Sequence, residues 1–332
     1  MLPLLLAFLA LPAAGVELEV VSHQRIWNEA PHSAFGDIIR YQNRWYAVFR
    51  EGKGHAPRAG LTDDGTLRVI TSADGANWQS AASIVEEGTD LRDPHLSITA
   101  KGELMIVSGG SKYPNGVYQT RRPRVMFSSD GRTWTKPHPI LEDGHWLWRV
   151  TWHKGRAYGV SKFGSPSAER KQDPRRQIFV TSKDGREWET IQELKVPGGD
   201  ETTVRFTKSG EAIALMRMSA GDNIAVIGRS KAPYKEWTWA KSGYFIGGPN
   251  FIILPTGRMI AGGRRFPEKY GSNPVTMLGE LTMSAYTPQL KLESGGDSSY
   301  PGFVWHENLL WTLYYSSHEG NTAIYLAKIR VE

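Results

Sequence analysis

One heptapeptide recurs three times in this chain: Ser72-Ala73-Asp74-Gly75-Ala76-Asn77-Trp78, Ser128-Ser129-Asp130-Gly131-Arg132-Thr133-Trp134 and Ser182-Lys183-Asp184-Gly185-Arg186-Glu187-Trp188. A fixed period of fifty-odd residues is the mark of a repeat architecture. Each copy follows a strand-like run (67 to 71, 124 to 127 and 177 to 181), so Ser-x-Asp-Gly falls where one strand turns into the next. The chemistry suits a hairpin turn. Asp bonds the turn's own amides, Gly takes a positive φ, and Trp folds back over the turn as an apolar lid. Turn geometry accounts for all of these residues without a catalytic role.

A longer pattern runs beside the first: a segment that begins with a polar residue, a Gly- or Asn-containing turn, then an apolar strand. Six segments fit it, with landmarks at Asp37, Asp93, Arg149, Glu201, Asn250 and Tyr300, spaced 49 to 56 residues apart. That approaches the repeat length of a propeller blade. Hairpin punctuation, β-branched and aromatic strands and the lack of helical periodicity make each unit four antiparallel strands. The expected fold is therefore an all-β, six-bladed propeller. Closure in a ring places the first strand of every blade along a central channel, so polar landmarks far apart in sequence converge at one mouth. Loops over 52–66, 164–175 and 267–274 are long and polar enough to rim it. A degraded version, Ser230 to Trp237, marks the fourth unit, keeping Ser and Trp but lacking Asp-Gly.

A continuous repeat makes residues 16–332 one large domain rather than two average ones. Residues 1–15 form an apolar run that closes on small residues and is too short to span a bilayer, which reads as a secretory signal cut near Gly15 and an exported or periplasmic product. No other segment reads as a membrane span. The absence of cysteine excludes disulfides, thiolate metal sites and a thiol nucleophile. The net charge of +6 favours acidic ligands. Nucleic acid is not expected as a partner, because the basic residues are scattered among strands with no basic helix or zinc-finger spacing. His95, His145, His153 and His318 form no spaced ligand set, so neither a metal nor another cofactor is expected. Nothing in the sequence specifies an oligomeric state.

The heptapeptide is similar to the Asp box, and the chain resembles the sialidase-like β-propellers. Asp297-Ser298-Ser299-Tyr300-Pro301-Gly302-Phe303 resembles the segment that presents a nucleophilic tyrosine in those enzymes. Asp200-Glu201-Thr202-Thr203-Val204, followed by Leu215-Met216-Arg217, resembles the one that supplies the tyrosine's glutamate partner and a substrate-binding arginine. The resemblance implies Tyr300 as nucleophile, Glu201 as its base and Arg217 as a carboxylate clamp. The chemistry is coherent. Sialic acid bears a carboxylate on the carbon under attack, which repels an anionic nucleophile but not a neutral phenol activated by a nearby carboxylate. Arginine suits such a carboxylate through two parallel charge-assisted hydrogen bonds.

Two family hallmarks differ. The Phe-Arg-Ile-Pro motif of the first blade reads Phe35-Gly36-Asp37-Ile38 here, so its arginine is missing. Arg50, Arg92, Arg149, Arg264 or Arg265 could supply a guanidinium from elsewhere, with Arg264 best placed. The loop that carries the family's aspartic acid donor reads Glu51-Gly52-Lys53-Gly54-His55-Ala56-Pro57, which puts His55 in the donor's place, with Asp63 and Asp64 as fallbacks. Histidine serves as a general acid near neutral pH. Asp37, Asp93, Arg92, Arg149 and Asn250 are expected to face the channel as sugar contacts. The function expected is a secreted retaining glycosidase for a terminal acidic sugar on a glycan. Alternatives are a propeller glycosidase for a neutral or uronic sugar, and a glycan-binding propeller without catalysis.

Overall fold

The computed structural model describes residues 15–60, 64–164 and 175–332. The proposed signal segment, except for Gly15, lies outside the described residues, as do Asp63 and most of the 164–175 loop. Six antiparallel sheets form a six-bladed β-propeller. Blade one comprises His32–Tyr41, Arg44–Gly52, Thr66–Ser72 and Gln79–Ile84. Blade two comprises Asp90–Ile98, Leu104–Lys112, Thr120–Ser128 and His138–Pro139. In blade three the inner strand is broken into His145–Leu147 and Thr151–His153, both paired with Arg156–Phe163, and Arg176–Ser182 and Trp188–Leu194 follow outward. Blade four runs Gly199–Phe206, Ala212–Met218, Val226–Ser230 and Thr238–Lys241, and blade five Gly247–Ile253, Met259–Arg265, Val275–Leu281 and Tyr286–Lys291. Blade six contains Ser299–His306, Leu309–Ser316 and Ala323–Val331, and its outermost strand comes from the other end of the chain: Leu18–Trp27 pairs antiparallel with Ala323–Val331. The ring is thus closed by hydrogen bonds between the first and last strands.

Second strands such as Arg44–Gly52 and Leu104–Lys112 are buried almost throughout because a neighbouring blade covers each face. They read accordingly as unbroken apolar runs. Outermost strands such as Gln79–Ile84 are largely wet. Between blades one and two, Tyr46, Val48 and Leu67 pack with Leu96, Leu104 and Ile106, each fully buried aliphatic side chain being worth about 1.5–3 kcal/mol.

The three heptapeptides turn the third strand of blades one, two and three into the fourth. In each, the Asp Oδ1 accepts the two amides that follow the glycine at 2.7–2.9 Å, the Ser Oγ accepts the glycine N–H at 2.8 Å, and the Trp Nε1 donates to the glycine carbonyl. These bonds hold Asp74 and Asp130 well below the usual carboxylate range. The turn glycines have φ of +73°, +70° and +78°, and a Cβ on them would strike Trp311, Tyr46 and Met105 respectively. Each of those residues belongs to the second strand of the preceding blade, so the glycine serves both the turn and the docking of blade on blade. In the fourth unit Tyr234, at φ +63°, takes the glycine's place and packs against Tyr158 of blade three, while Trp237 Nε1 still donates to its carbonyl at 3.1 Å.

Five inner strands carry a bulge at the same point, seen as a register slip across 35–36, 93–94, 200–201, 248–249 and 300–301. The first bulge residue has a positive φ in four of them: Phe35 (58°), Asp93 (48°), Gly248 (56°) and Tyr300 (53°). A bulge re-aims the side chains around it, and here it does so next to the mouth of the channel.

Candidate active site

Tyr300 and Glu201 meet across the ring. The Tyr300 hydroxyl donates to Glu201 Oε1 at 3.0 Å, and both side chains are buried. Three further bonds pin the Glu201 carboxylate: Arg217 Nη1 donates to Oε1 at 3.1 Å and to Oε2 at 3.0 Å, and the Gly248 amide donates to Oε2 at 2.8 Å. Arg217 Nη1 also lies 3.5 Å from the Tyr300 oxygen. Glycine at 248 is required twice over. Its φ is +56°, and a Cβ there would sit 2.0 Å from Tyr300 Cδ1. Burial, then the Glu201 charge, raise the Tyr300 pKa, while Arg217 and Arg264 oppose them. The resting phenol is therefore neutral and holds its proton toward the one carboxylate placed to receive it.

Tyr300 and Glu201 line a cleft of about 350 Å³, together with Phe35, His55, Arg92, Asp93, Tyr113, Tyr118, Trp146, Arg121 and Lys162. Aromatic faces and charged groups of both signs suit a polyhydroxylated ligand, because the rings can cover C–H faces while ions bond hydroxyls. Arg92 lies over the Phe35 ring at 5.0 Å and donates to the His55 carbonyl at 3.1 Å. Lys162 faces Asp200, the residue before Glu201. Burial opposes the Asp200 charge, but Lys162, Arg217 and Arg175 keep it ionised.

A second group stands beside the tyrosine. Asp297 Oδ2 bonds His55 Nδ1 at 2.6 Å and His32 Nε2 at 2.9 Å, and Asp297 Oδ1 accepts from Arg264 Nη2 at 2.9 Å. Arg264 also bonds the Tyr315 hydroxyl at 2.7 Å, with its guanidinium carbon 5.2 Å from the centre of the Tyr300 ring. Burial would raise the Asp297 pKa; the bonds from both histidines and the charge of Arg264 overcome it and keep the group ionised. Among the described residues, His32, His55 and Asp297 are the metal-capable side chains with donor atoms within 4.8 Å of one another. Each histidine is hydrogen-bonded to Asp297.

Of the sequence-based candidates, Tyr300, Glu201, His55, Arg92 and Asp93 line this cleft, Arg217 is held beside it by its bonds to Glu201, and Arg264 flanks it. Asp37, Arg149 and Asn250 do not. The bulge turns the residues after it down the axis, where Arg149 Nη1 bonds Asp37 Oδ2 at 2.6 Å and Asn250 Nδ2 donates to the Pro301 carbonyl at 2.9 Å. Asp37 and Arg149 line a separate cleft of about 260 Å³ with Arg205 and Trp152. Arg50 is fully buried on Asp90 at 2.7 Å, Arg265 lies over the Tyr244 ring, and Asp64 accepts the Gly88 amide at 3.0 Å. Sequence reasoning assigned no role to Asp297, although it opens the very segment that carries Tyr300, and missed His32 and Tyr315. Their one available signal was proximity in sequence to Phe35 and to the apolar run ending at Tyr314.

Compared by sequence, the chain matches no protein-family model and no curated protein. Compared by structure, it superposes on a protein of unknown function from Dyadobacter fermentans DSM 18053, with a TM-score of 0.78, 19% identity and coverage of 95% of this chain and 99% of that one. The GH93 α-L-arabinofuranosidase of Fusarium graminearum, solved with arabinobiose, aligns at a TM-score of 0.68 and 14% identity over 94% of this chain and 98% of that one. The Trypanosoma rangeli sialidase, solved with 2,3-difluorosialic acid as a covalent intermediate, aligns at a TM-score of 0.62 and 13% identity over 91% of this chain. This chain spans 54% of that sialidase's length. At these identities the likeness concerns the fold, a six-bladed propeller that also serves glycoside hydrolases.

Proposed function

We propose that this protein is a retaining glycoside hydrolase of the sialidase type, with Tyr300 as nucleophile and Glu201 as the base that takes its proton. The observation that carries the reading is the 3.0 Å bond from the phenol to a carboxylate fixed from two other sides, on the wall of an open cleft. A tyrosine whose proton is aimed at a pinned carboxylate can attack an anomeric carbon and lose that proton in the same step. Arg217, Arg264 and Arg92 surround the phenol, which supports a terminal acidic sugar such as a sialic or related ulosonic acid, with Arg217 as the nearest clamp.

A second reading, a neutral sugar, draws on a specific feature. Each of these arginines already faces an internal carboxylate: Glu201, Asp297 and Asp90 respectively. Fluorogenic sialosides, 2-keto-deoxy glycosides, uronides and arabinofuranosides separate the two. The first reading expects turnover of an acidic glycoside, abolished by Tyr300→Phe and by Glu201→Gln with the fold retained. Turnover of arabinofuranoside alone selects the second. Glycan binding without any turnover makes the propeller a lectin. N-terminal sequencing of the exported protein tests the signal segment, with Val16 expected as the first residue.

A further inference from the structure

Two side chains on the cleft wall are candidates to protonate a leaving oxygen, His55 and Asp93. We infer that Asp93 is the general acid and base of this site. The inference rests on the reading of Tyr300 and Glu201 as the nucleophile pair.

The inner strand Asp90–Ile98 slips register across Asp93 and Pro94, as Ser299–His306 does across Tyr300 and Pro301. Asp93 and Tyr300 thus occupy the same bulge position in their blades, with the same left-handed backbone (φ +48° and +53°), a conformation that costs a non-glycine residue of order 1 kcal/mol or more and persists only where the surroundings enforce it. The bulge aims both side chains into one cleft. Asp93 is 7% exposed, and its Oδ1 is buried without any hydrogen-bond partner. An ionised carboxylate so placed would forgo the bonds that normally stabilise it, whereas a carboxylic acid keeps a proton ready to donate.

The charges around it point the same way. Burial is the largest influence; Glu201 from blade four and Asp90 from its own strand add to it, Arg92 and His55 oppose it, and the balance moves the carboxyl up to about 6. The Tyr300 phenol, also close by, is neutral. His55 is disposed differently: its side chain is 52% exposed at the rim, and its Nδ1 is committed to Asp297.

In the first step the Tyr300 oxygen bonds to the anomeric carbon as its proton passes to Glu201. The bond from that carbon to the aglycone oxygen breaks, and Asp93 gives that oxygen its proton, so the aglycone leaves as an alcohol. Asp93 is then a carboxylate beside Arg92. In the second step it takes a proton from water, the water oxygen bonds to the anomeric carbon, the bond to Tyr300 breaks, and the phenol recovers its proton from Glu201.

The test compares 4-nitrophenyl and phenyl glycosides of one sugar, because a good leaving group needs no acid. Asp93→Asn should stay within about threefold of wild type for glycosylation from the 4-nitrophenyl substrate and fall about 10²–10⁴-fold on the phenyl one. Added azide should restore steady-state turnover and yield a glycosyl azide. Equal loss on both substrates would make Asp93 a binding residue and overturn the inference, as would leaving-group-dependent loss in His55→Gln but not in D93N. Tyr300→Phe should be inactive on both. If the wild type turns over neither, the nucleophile reading fails, and an infrared difference spectrum of wild type minus D93N decides on Asp93 by itself. A carboxylic-acid band present at pH 5 and gone by pH 7.5 supports the inference; a carboxylate already present at pH 5 overturns it.

Discussion

Replacing Asp93 with asparagine should make the folded protein more stable at neutral pH, by an amount that vanishes in acid. Asparagine has nearly the same shape and never ionises, so the variant isolates the cost of charging this side chain in its buried position. The carboxyl titrates near 6 when folded against 3.8 in an ordinary environment, a displacement of about two units. At about 1.4 kcal/mol per unit this corresponds to about 3 kcal/mol. The sign follows from proton binding. Between pH 3.8 and about 6 the folded state holds the Asp93 proton that the unfolded chain has released, so this group's contribution to stability falls as pH rises through that window and stays low above it. Below the window both states are protonated and the cost disappears. Urea unfolding of both proteins by tryptophan fluorescence from pH 3.5 to 7.5 reads the difference directly, since every other titrating group is common to the two. The excess stability of D93N should grow by about 3 kcal/mol across the range. A pH-independent difference, or one that shrinks as pH rises, would mean that Arg92 compensates the carboxylate fully and that Asp93 is an ordinary ion-paired residue.

Three further outcomes follow. Gly248→Ala combines a left-handed alanine with a Cβ 2.0 Å from the Tyr300 ring; the strain and the overpacking together should cost roughly 2–5 kcal/mol in chemical denaturation and displace the phenol from Glu201. Deleting residues 16–27 removes the strand that closes blade six and leaves Ala323–Val331 with a bare edge, so the melting transition should drop or broaden and the protein should associate, as read by circular dichroism and gel filtration. Asp297→Asn removes the charge shared by His32, His55 and Arg264; if the carboxylate neutralises Arg264, affinity for an acidic sugar product should rise in calorimetry while affinity for a neutral one stays level.

The ring was legible from the sequence because its repeating parts obey local rules. Asp74, Asp130 and Asp184 each bond amides within their own turn, and second strands such as Leu104–Lys112 advertise two-sided burial. The pair at the centre was legible through the segments around Tyr300 and Glu201 and the arginine at 217. The N-terminal closing strand was not, since the burial of Leu18–Trp27 is mostly shallow and its partner lies some three hundred residues away. Nor was the sorting of landmarks. Asp37 and Asp93 both begin a blade, yet one slips past the bulge to bind Arg149 and the other sits in it facing the cleft. The bulge is a relation between two strands, visible only once they pair: Asp93 stands where Phe35 stands in blade one, and Asp37, two residues further on, has passed the bulge.

The central claim is that the Tyr300 oxygen forms the covalent bond to sugar. A fluorinated analogue that slows release, such as 2,3-difluorosialic acid for an acidic-sugar enzyme or the fluorinated glycosyl fluoride of whichever sugar is turned over, should add one glycosyl mass to the peptide containing Tyr300 and to no other. An adduct on a peptide carrying Glu201 or Asp93, or hydrolysis with inversion at the anomeric carbon and no adduct, would contradict it.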